Sequence, residues 1–341
     1  MLRIVSVAAV IAIIAVSVFL TSGDATPESS FKLGLVSNAD GGTRAARIGA
    51  VGASIVRVEF RIDEPASQVA RVIGRFARHG VSVLPLAGFQ GRVPTAAEAR
   101  NLATWARAFG PSGTFWRHRS GGSLAIRDIE FGNETNQPGQ FDGCGFDCPS
   151  FAHRAQGYAL ALKAAQEAID GPQGNPSVGL LAIGDDGGSE SPNWVDNMFA
   201  AVPDLAQRIA GWTAHPYGTQ WWRMLDRLVH QTAARGAPST IPIFITEIGV
   251  SSDNGHCLSN NFGWNRCMSY AEAASAMRST IAGIRARYGT RIREIFVFQA
   301  FDQRPPEADS DREHYFGVLT STGRSKGAYT TALSSLLRTM R

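Results

Sequence analysis

Ile129-Glu130-Phe131-Gly132-Asn133-Glu134-Thr135-Asn136 is a short apolar run that breaks at a glycine and delivers Asn-Glu as it ends. Ile241-Pro242-Ile243-Phe244-Ile245-Thr246-Glu247-Ile248-Gly249 repeats the device far downstream, with Glu247 at the tip of a second run. Both runs are apolar at successive rather than alternate positions. That pattern suits strands buried on both faces of a parallel sheet.

Working outward, six further segments read the same way: Phe31–Val36, Ser54–Phe60, Val81–Leu86, Val178–Ile183, Gly211–His215 and Ile292–Ala300. The two opening runs extend to Leu124–Phe131 and Ile241–Thr246, which makes eight strands. Helical stretches alternate with them, at 44–52, 68–79, 95–109, 151–169, 194–209, 221–234, 269–288 and 327–339. Thr95-Ala96-Ala97-Glu98 and Ser269-Tyr270-Ala271-Glu272 are capping boxes that open two of them, and Gly80 stops another. Eight strand–helix units predict a closed (β/α)8 TIM barrel, one catalytic domain over residues 31–341. A doubly wound open sheet is the alternative; eight consecutive units are long for it, and no G-x-G-x-x-G follows the first strand.

The chain has 341 residues, 44% hydrophobic and 18% charged, enough for a large core and unlike a disordered chain. Its formal charge is +4, from 33 basic and 29 acidic residues. The densest basic patch, Arg117-His118-Arg119, reads as a solvated loop; no nucleic-acid partner is expected. Residues 1–25 stand apart. Arg3 precedes an apolar run from Ile4 to Leu20, and small Gly23 and Ala25 flank a plausible cut after Ala25. The run suits a secretory signal, or an uncleaved anchor through residues 4–20. Either places the protein outside the cell or at the outer face of the membrane, with residues 26–30 as a short linker. The oligomeric state is not legible.

Four cysteines fall in two close pairs, Cys144 with Cys148 and Cys257 with Cys267. Export favours disulfides, and the local bridges 144–148 and 257–267 are the simplest of three connectivities. A zinc site, with His256 beside Cys257, is the rival reading, although the spacing is not that of a finger or ribbon.

In such a barrel the chemistry sits at the C-terminal ends of the strands. Those ends carry Arg57 and Glu59 on the second strand, Asn133 and Glu134 after the fourth, and Asp185 and Asp186 after the fifth. His215 and Tyr217 follow on the sixth, Glu247 on the seventh, and Gln299 and Asp302 on and after the eighth. Two carboxylates at two such ends suit glycosidic bond cleavage: one protonates the leaving oxygen, and the other attacks the sugar or activates water. Plainer readings stand beside this one. Glu59 reads equally as a buried ion-pair partner of Arg57. Asp185 and Asp186 line the site or cap a helix. Trp221 and Trp222 pack in the core or line the cleft. Asn133-Glu134-Thr135 also matches a glycan-acceptor motif, an improbable use at a strand end.

Asn-Glu ending the fourth strand with a Glu ending the seventh resembles glycoside hydrolase clan A, retaining barrel glycosidases that include many cellulases, mannanases, xylanases and β-glycosidases. Val56-Arg57-Val58-Glu59, His215-Pro216-Tyr217, Phe316-Gly317-Val318-Leu319 and Gly323-Arg324-Ser325-Lys326-Gly327-Ala328-Tyr329 agree with it. The resemblance implies a β-linked glycan substrate, Glu134 as general acid/base with a raised pKa, and Glu247 as nucleophile. It implies Asn133 on the sugar 2-hydroxyl, His215 at the substrate, Arg57 and Tyr217 holding Glu247 ionised, and no metal or organic cofactor. Trp264 is the better aromatic candidate for the cleft, because its loop follows the seventh strand. Phe298-Gln299-Ala300-Phe301 departs from the clan's Trp floor and puts Gln299 or Phe301 in that place. A catalytically silent barrel that binds cell-wall glycan is the competing reading.

Other barrel chemistries lack their residues. The first strand has no His-x-His for a metal-dependent amidohydrolase. Neither of the last two loops is the Gly-rich phosphate binder, and there is no G-x-S-x-G.

Overall fold

The structure, a computed structural model, describes residues 31–39, 44–89, 91–137, 150–186, 193–257 and 267–340. Residues 1–30, with the expected signal or anchor and linker, lie outside it, as do Cys144, Cys148 and Trp264. Among the described residues no helix is long and apolar enough to cross a membrane.

Eight parallel strands close in sequence order: β1 Lys32–Ser37, β2 Ile55–Arg61, β3 Ser82–Gly88, β4 Asp128–Phe131, β5 Gly179–Asp185, β6 Gly211–Ala214, β7 Ile243–Ile248 and β8 Ile292–Val297. β1 pairs with β8, with Lys32 beside Glu294, and this shuts the barrel. The outer ring is α1 Ala45–Ala50, α2 Ala66–Ala77, α3 Ala96–Arg100, α4 Leu102–Phe109, α5 Phe151–Asp170, α6 Trp194–Ala201, α7 Trp221–Ala234, α8 Tyr270–Tyr288 and α9 Ala328–Thr339. This is the expected (β/α)8 barrel, and both capping boxes form at Thr95 and Ser269.

The differences are local and have physical causes. The expected fourth strand loses its first half: Gly122–Leu124 turns as a 3-10 helix after Gly121, which has φ +130°. The helix expected over 95–109 breaks at Asn101, whose side-chain amide donates to the carbonyls of Ile62 and Glu64. The helix expected over 194–209 stops at Ala201, just before Pro203, which has no N–H to donate. β8 ends at Val297 because the chain turns to other partners: Gln299 N–H donates to Phe316 O, and Ala300 N–H to Val36 O.

The core has two layers. Between strands and helices runs one continuous apolar shell. Inside the barrel a smaller cluster joins Val36, Ile55, Leu84, Leu181, Phe244 and Phe296. Two large rings fit there because glycines face them. A Cβ on Gly34 would come within 2.8 Å of the Phe296 ring, and one on Gly211 within 2.5 Å of the Phe244 ring. The interior is therefore filled rather than open, as barrels of eight strands require.

Near the N-terminal ends of the strands the filling is less comfortable. Glu294 is 7% exposed, and burial pushes its carboxyl up to about 7. Asp128 adds repulsion, while Lys32 and Arg293 oppose the shift. A raised carboxyl binds a proton in the folded state before it does in the unfolded chain. The wild type therefore gains stability as the pH falls through about 7 toward the ordinary 4.5. Glu294→Gln is expected to raise stability at pH 8 by on the order of 1–3 kcal/mol and to change it little at pH 5. Thermal unfolding at the two pH values reads this; an equal effect at both would assign the strain elsewhere.

Candidate active site

β2 directs Arg57 into the C-terminal mouth of the barrel, where it is 3% exposed. A guanidinium there must be neutralised, and three side chains from the ends of β4 and β7 supply the acceptors. Arg57 Nε and Nη2 clamp the Glu130 carboxylate from β4, the second contact at 3.0 Å. Nη1 donates to Glu247 Oε1 at 2.6 Å, and Nη2 also donates to Asn133 Oδ1 at 2.7 Å. Holding Asn133 by its oxygen leaves the amide nitrogen as the donor for a ligand.

Glu130 is not among the site residues expected from the sequence. Glu59 is not Arg57's ion-pair partner; its side chain is exposed at the end of β2 and lies over Gly88. The signal for Glu130 is nonetheless present in the sequence. An acid in the middle of an apolar strand, fully buried in the structure, has to meet a cation.

The chain then bends sharply. Gly132 takes φ +84°, and a Cβ there would sit 2.6 Å from the Phe89 ring. Glu134 itself takes φ +47°, a left-handed conformation that costs a non-glycine residue about 1–3 kcal/mol. Asp186 accepts the Glu134 backbone N–H at 3.3 Å, and its own carbonyl accepts from Gln137 Nε2 at 2.6 Å. The bend lifts Glu134 toward β6, where His215 Nδ1 lies 3.0 Å from Glu134 Oε1. His215 Nε2 is anchored on Thr246 Oγ1 of β7 at 3.0 Å. Tyr217 donates its hydroxyl to Glu247 Oε2 at 3.0 Å.

The charges have distinct settings. Burial alone would raise the Glu247 carboxyl. The positive charges of His215 and Arg57, with hydrogen bonds from Tyr217 and Arg57, outweigh it and hold Glu247 below the usual carboxylate value. Burial also works against the His215 imidazolium, but the carboxylates of Asp186, Glu247 and Glu134 bring it up to about 9. Burial pushes Asp186 up to about 7, against the pull of His215 and with added repulsion from Glu134 and Glu130.

Asp185 and Asp186 part company. Asp185 is tied bidentately to Arg227 of α7, at 2.6 and 3.0 Å, and braces the scaffold. Asp186 sits beneath Glu134. Asp302 is likewise structural: its Oδ1 accepts from Lys326 Nζ at 2.9 Å and Gly317 N–H at 2.8 Å. Trp221 packs edge-on to Tyr288 and over Gly283 of α8, so it is core, whereas Trp222 is exposed between Arg223 and Arg287. Gln299 lies just past β8 after a cis Phe298–Gln299 peptide, and its amide nitrogen is buried without a hydrogen-bond partner. Cys257 and Cys267 form a disulfide that closes the loop after β7.

One donor atom each from Glu134, His215 and Glu247 lie within 4.8 Å of one another. Those atoms could hold a metal ion, but Arg57 already places a positive charge on Glu247, and His215 favours its protonated form. Two cavities open at the C-terminal ends of the strands, neither of them lined by Glu134 or Glu247. One of about 390 Å³ lies at the ends of β2 and β3, with Glu59, Phe89 and Arg92 in its wall. The other, about 560 Å³, lies at the ends of β1 and β8, with Asn38, Arg44, Gln299 and Phe301.

Neither protein-family models nor the curated proteins match this sequence. Solved structures do match the fold. A fungal β-1,4-galactanase is 13% identical, with a TM-score of 0.59 over 88% of this chain and 94% of its own. A GH5_18 protein from Bifidobacterium longum subsp. infantis is 14% identical, with a TM-score of 0.59 over 91% and 79%. A β-glycosidase, BGL167, is 14% identical, with a TM-score of 0.54 over 91% and 97%. At these identities the likeness is one of fold, and it is the fold that the resemblance to clan A implied.

Arg57→Met leaves Glu130 buried and unpaired, and is expected to cost about 3–5 kcal/mol of stability. Adding Glu130→Leu removes the stranded charge and is expected to recover most of that loss. Chemical denaturation of the two variants measures this; a double variant no better than Arg57→Met would show that the pair is not what Arg57 stabilises.

Proposed function

We propose that the protein is a retaining O-glycoside hydrolase acting on β-linked glycan. The observation that carries this reading is the carboxyl separation. Oxygens of Glu134 and Glu247 lie within 4.8 Å of each other. Direct attack requires about 5–5.5 Å between the two groups, whereas inversion leaves about 6.5–9.5 Å for an intervening water. The neighbouring folds named as β-glycosidase and β-1,4-galactanase support the choice of a β-linked substrate.

Glu247 attacks the anomeric carbon, and the bond to the leaving oxygen breaks as Glu134 gives that oxygen its proton. The product is a glycosyl ester on Glu247. Glu134, now a carboxylate, takes a proton from water; the water oxygen bonds to the anomeric carbon and Glu247 leaves. Arg57 and Tyr217 suit the first step by keeping Glu247 ionised and fixing both its oxygens. Asn133, held by Arg57, offers its amide to the sugar 2-hydroxyl. Gln299 replaces a stacking floor with a hydrogen-bonding one. Residues 1–25 add export, or anchoring at the outer face, to this reading.

Reducing-sugar release from β-glucans, mannans, xylans and galactans tests the assignment. Activity on one of them is expected, with Glu134→Ala and Glu247→Ala each at least about 10²-fold slower. Binding to one glycan without turnover on any would favour the silent-barrel reading. The pH profile tests the pairing more finely. Tyr217→Phe removes one of the hydrogen bonds that lower Glu247. The acidic limb of kcat/KM is therefore expected to move to higher pH, with the basic limb in place; an unmoved acidic limb would separate Tyr217 from the nucleophile.

A further inference from the structure

The Arg117-His118-Arg119 run has no part in the site above. It lies in the connection from α4 to β4, at the N-terminal end of the barrel, whereas Glu134 and Glu247 stand at the C-terminal end. Strands of six or seven residues separate the two faces by about 20 Å. His118 and Arg119 form part of one wall of a groove of about 800 Å³ whose other wall is α2. Arg71 on α2 and Arg78 just past it face His118 and Arg119 across this groove, and among the described residues no carboxylate lines it. Arg71, Arg78 and His118 make no ion pair among the described residues and are exposed. Arg119 is held in place by donating to Phe115 O at 2.5 Å, with its guanidinium 4.2 Å from the Phe115 ring centre.

Several other surface arginines are neutralised. Arg61 binds Asp63, Arg92 binds Glu98, Arg208 binds Asp204, Arg235 binds Asp196 and Arg287 binds Asp226. A groove that gathers several cations and excludes acids focuses a positive potential, because the low-dielectric walls concentrate the field. We propose that this groove binds an anionic polysaccharide strand, one bearing carboxylate or sulfate groups, and holds the enzyme on charged glycan while the opposite face carries out hydrolysis.

The groove's form selects among polyanions. It is concave, with walls on two sides, and so does not suit a flat lipid surface. Its aromatic rings are not stacking platforms: Trp116 is buried with its indole N–H on Phe109 O, and Arg119 covers Phe115. Recognition of single-stranded nucleic acid relies on open rings of that kind. The choice of a glycan, rather than another linear polyanion, rests on the proposed glycosidase reading. The charge argument does not.

Affinity electrophoresis of the full chain in gels containing polygalacturonate, dextran or duplex DNA tests the proposal. Retardation is expected in polygalacturonate and not in dextran, and it should weaken steeply with salt. R71E/R78E/R119E is expected to lose affinity for polygalacturonate about tenfold or more, as removal of three cationic contacts implies. Its kcat/KM on a soluble neutral oligosaccharide should be unchanged. R71Q/R78Q, milder for folding, should show an intermediate loss, with circular dichroism confirming the native state of both variants. Equal mobility of the wild type in polygalacturonate and dextran overturns the proposal, as does undiminished retardation of the folded variants. Tighter retention by DNA than by polygalacturonate overturns it in favour of a nucleic-acid site. Binding is read without turnover, so an inactive enzyme would count against the glycosidase reading and leave this result standing.

Discussion

One buried guanidinium organises the mouth of this barrel. Arg57 is charged at any working pH, and the carboxylates of Glu130 and Glu247 hold it so. It has no water to turn to, so its donors must be spent on protein acceptors. Glu130 takes Nε and Nη2, Glu247 takes Nη1, and Asn133 shares Nη2. Four side chains from β2, the β4 end and β7 are thereby fixed by one ion. Without Glu130, the pull of Arg57 would fall on Glu247 alone. With it, the guanidinium has one partner within β4 and one at the proposed nucleophile.

The fold makes this possible. Apolar strands buried on both faces supply the burial, and glycines on β1 and β6 admit the two phenylalanines that fill the centre. A rigid, filled barrel holds strand ends at fixed separations, and this keeps oxygens of Glu134 and Glu247 within 4.8 Å of each other. Between the ends of β4 and β6, left-handed backbone falls on Glu134. Glu134 keeps its left-handed backbone because Gly132 turns the chain and Asp186 accepts its N–H. On the other side of the site, Thr246 fixes one nitrogen of His215 and so aims the other at Glu134.

Much of this is legible in the sequence, for physical reasons. Double burial writes itself as continuous apolar runs, and helix starts as capping boxes, so eight units can be read directly. The Glu134 and Glu247 pair is legible because each follows such a run. What escapes is whatever depends on partners distant in sequence. Glu130 hides inside a strand, and only closure of the barrel shows that Arg57, 73 positions earlier, needs it. Asp185 and Asp186 are adjacent and chemically identical, and only Arg227 and the Glu134 backbone separate their roles. The ends of β4 and β8 shift because backbone groups choose partners outside the ladder. Trp221 is drawn to the core by Gly283 and Tyr288 on α8, which no local pattern records.

The anomeric configuration of the product as it is first formed decides whether the two carboxylates act in this way. Proton NMR can follow the anomeric signals during hydrolysis of a β-linked oligosaccharide, before mutarotation mixes them. If Glu247 attacks the sugar and Glu134 then activates water, two inversions occur and the β-anomer appears first. The α-anomer appearing first would mean that water attacks directly, and would contradict the assignment of Glu247 as nucleophile and Glu134 as acid/base.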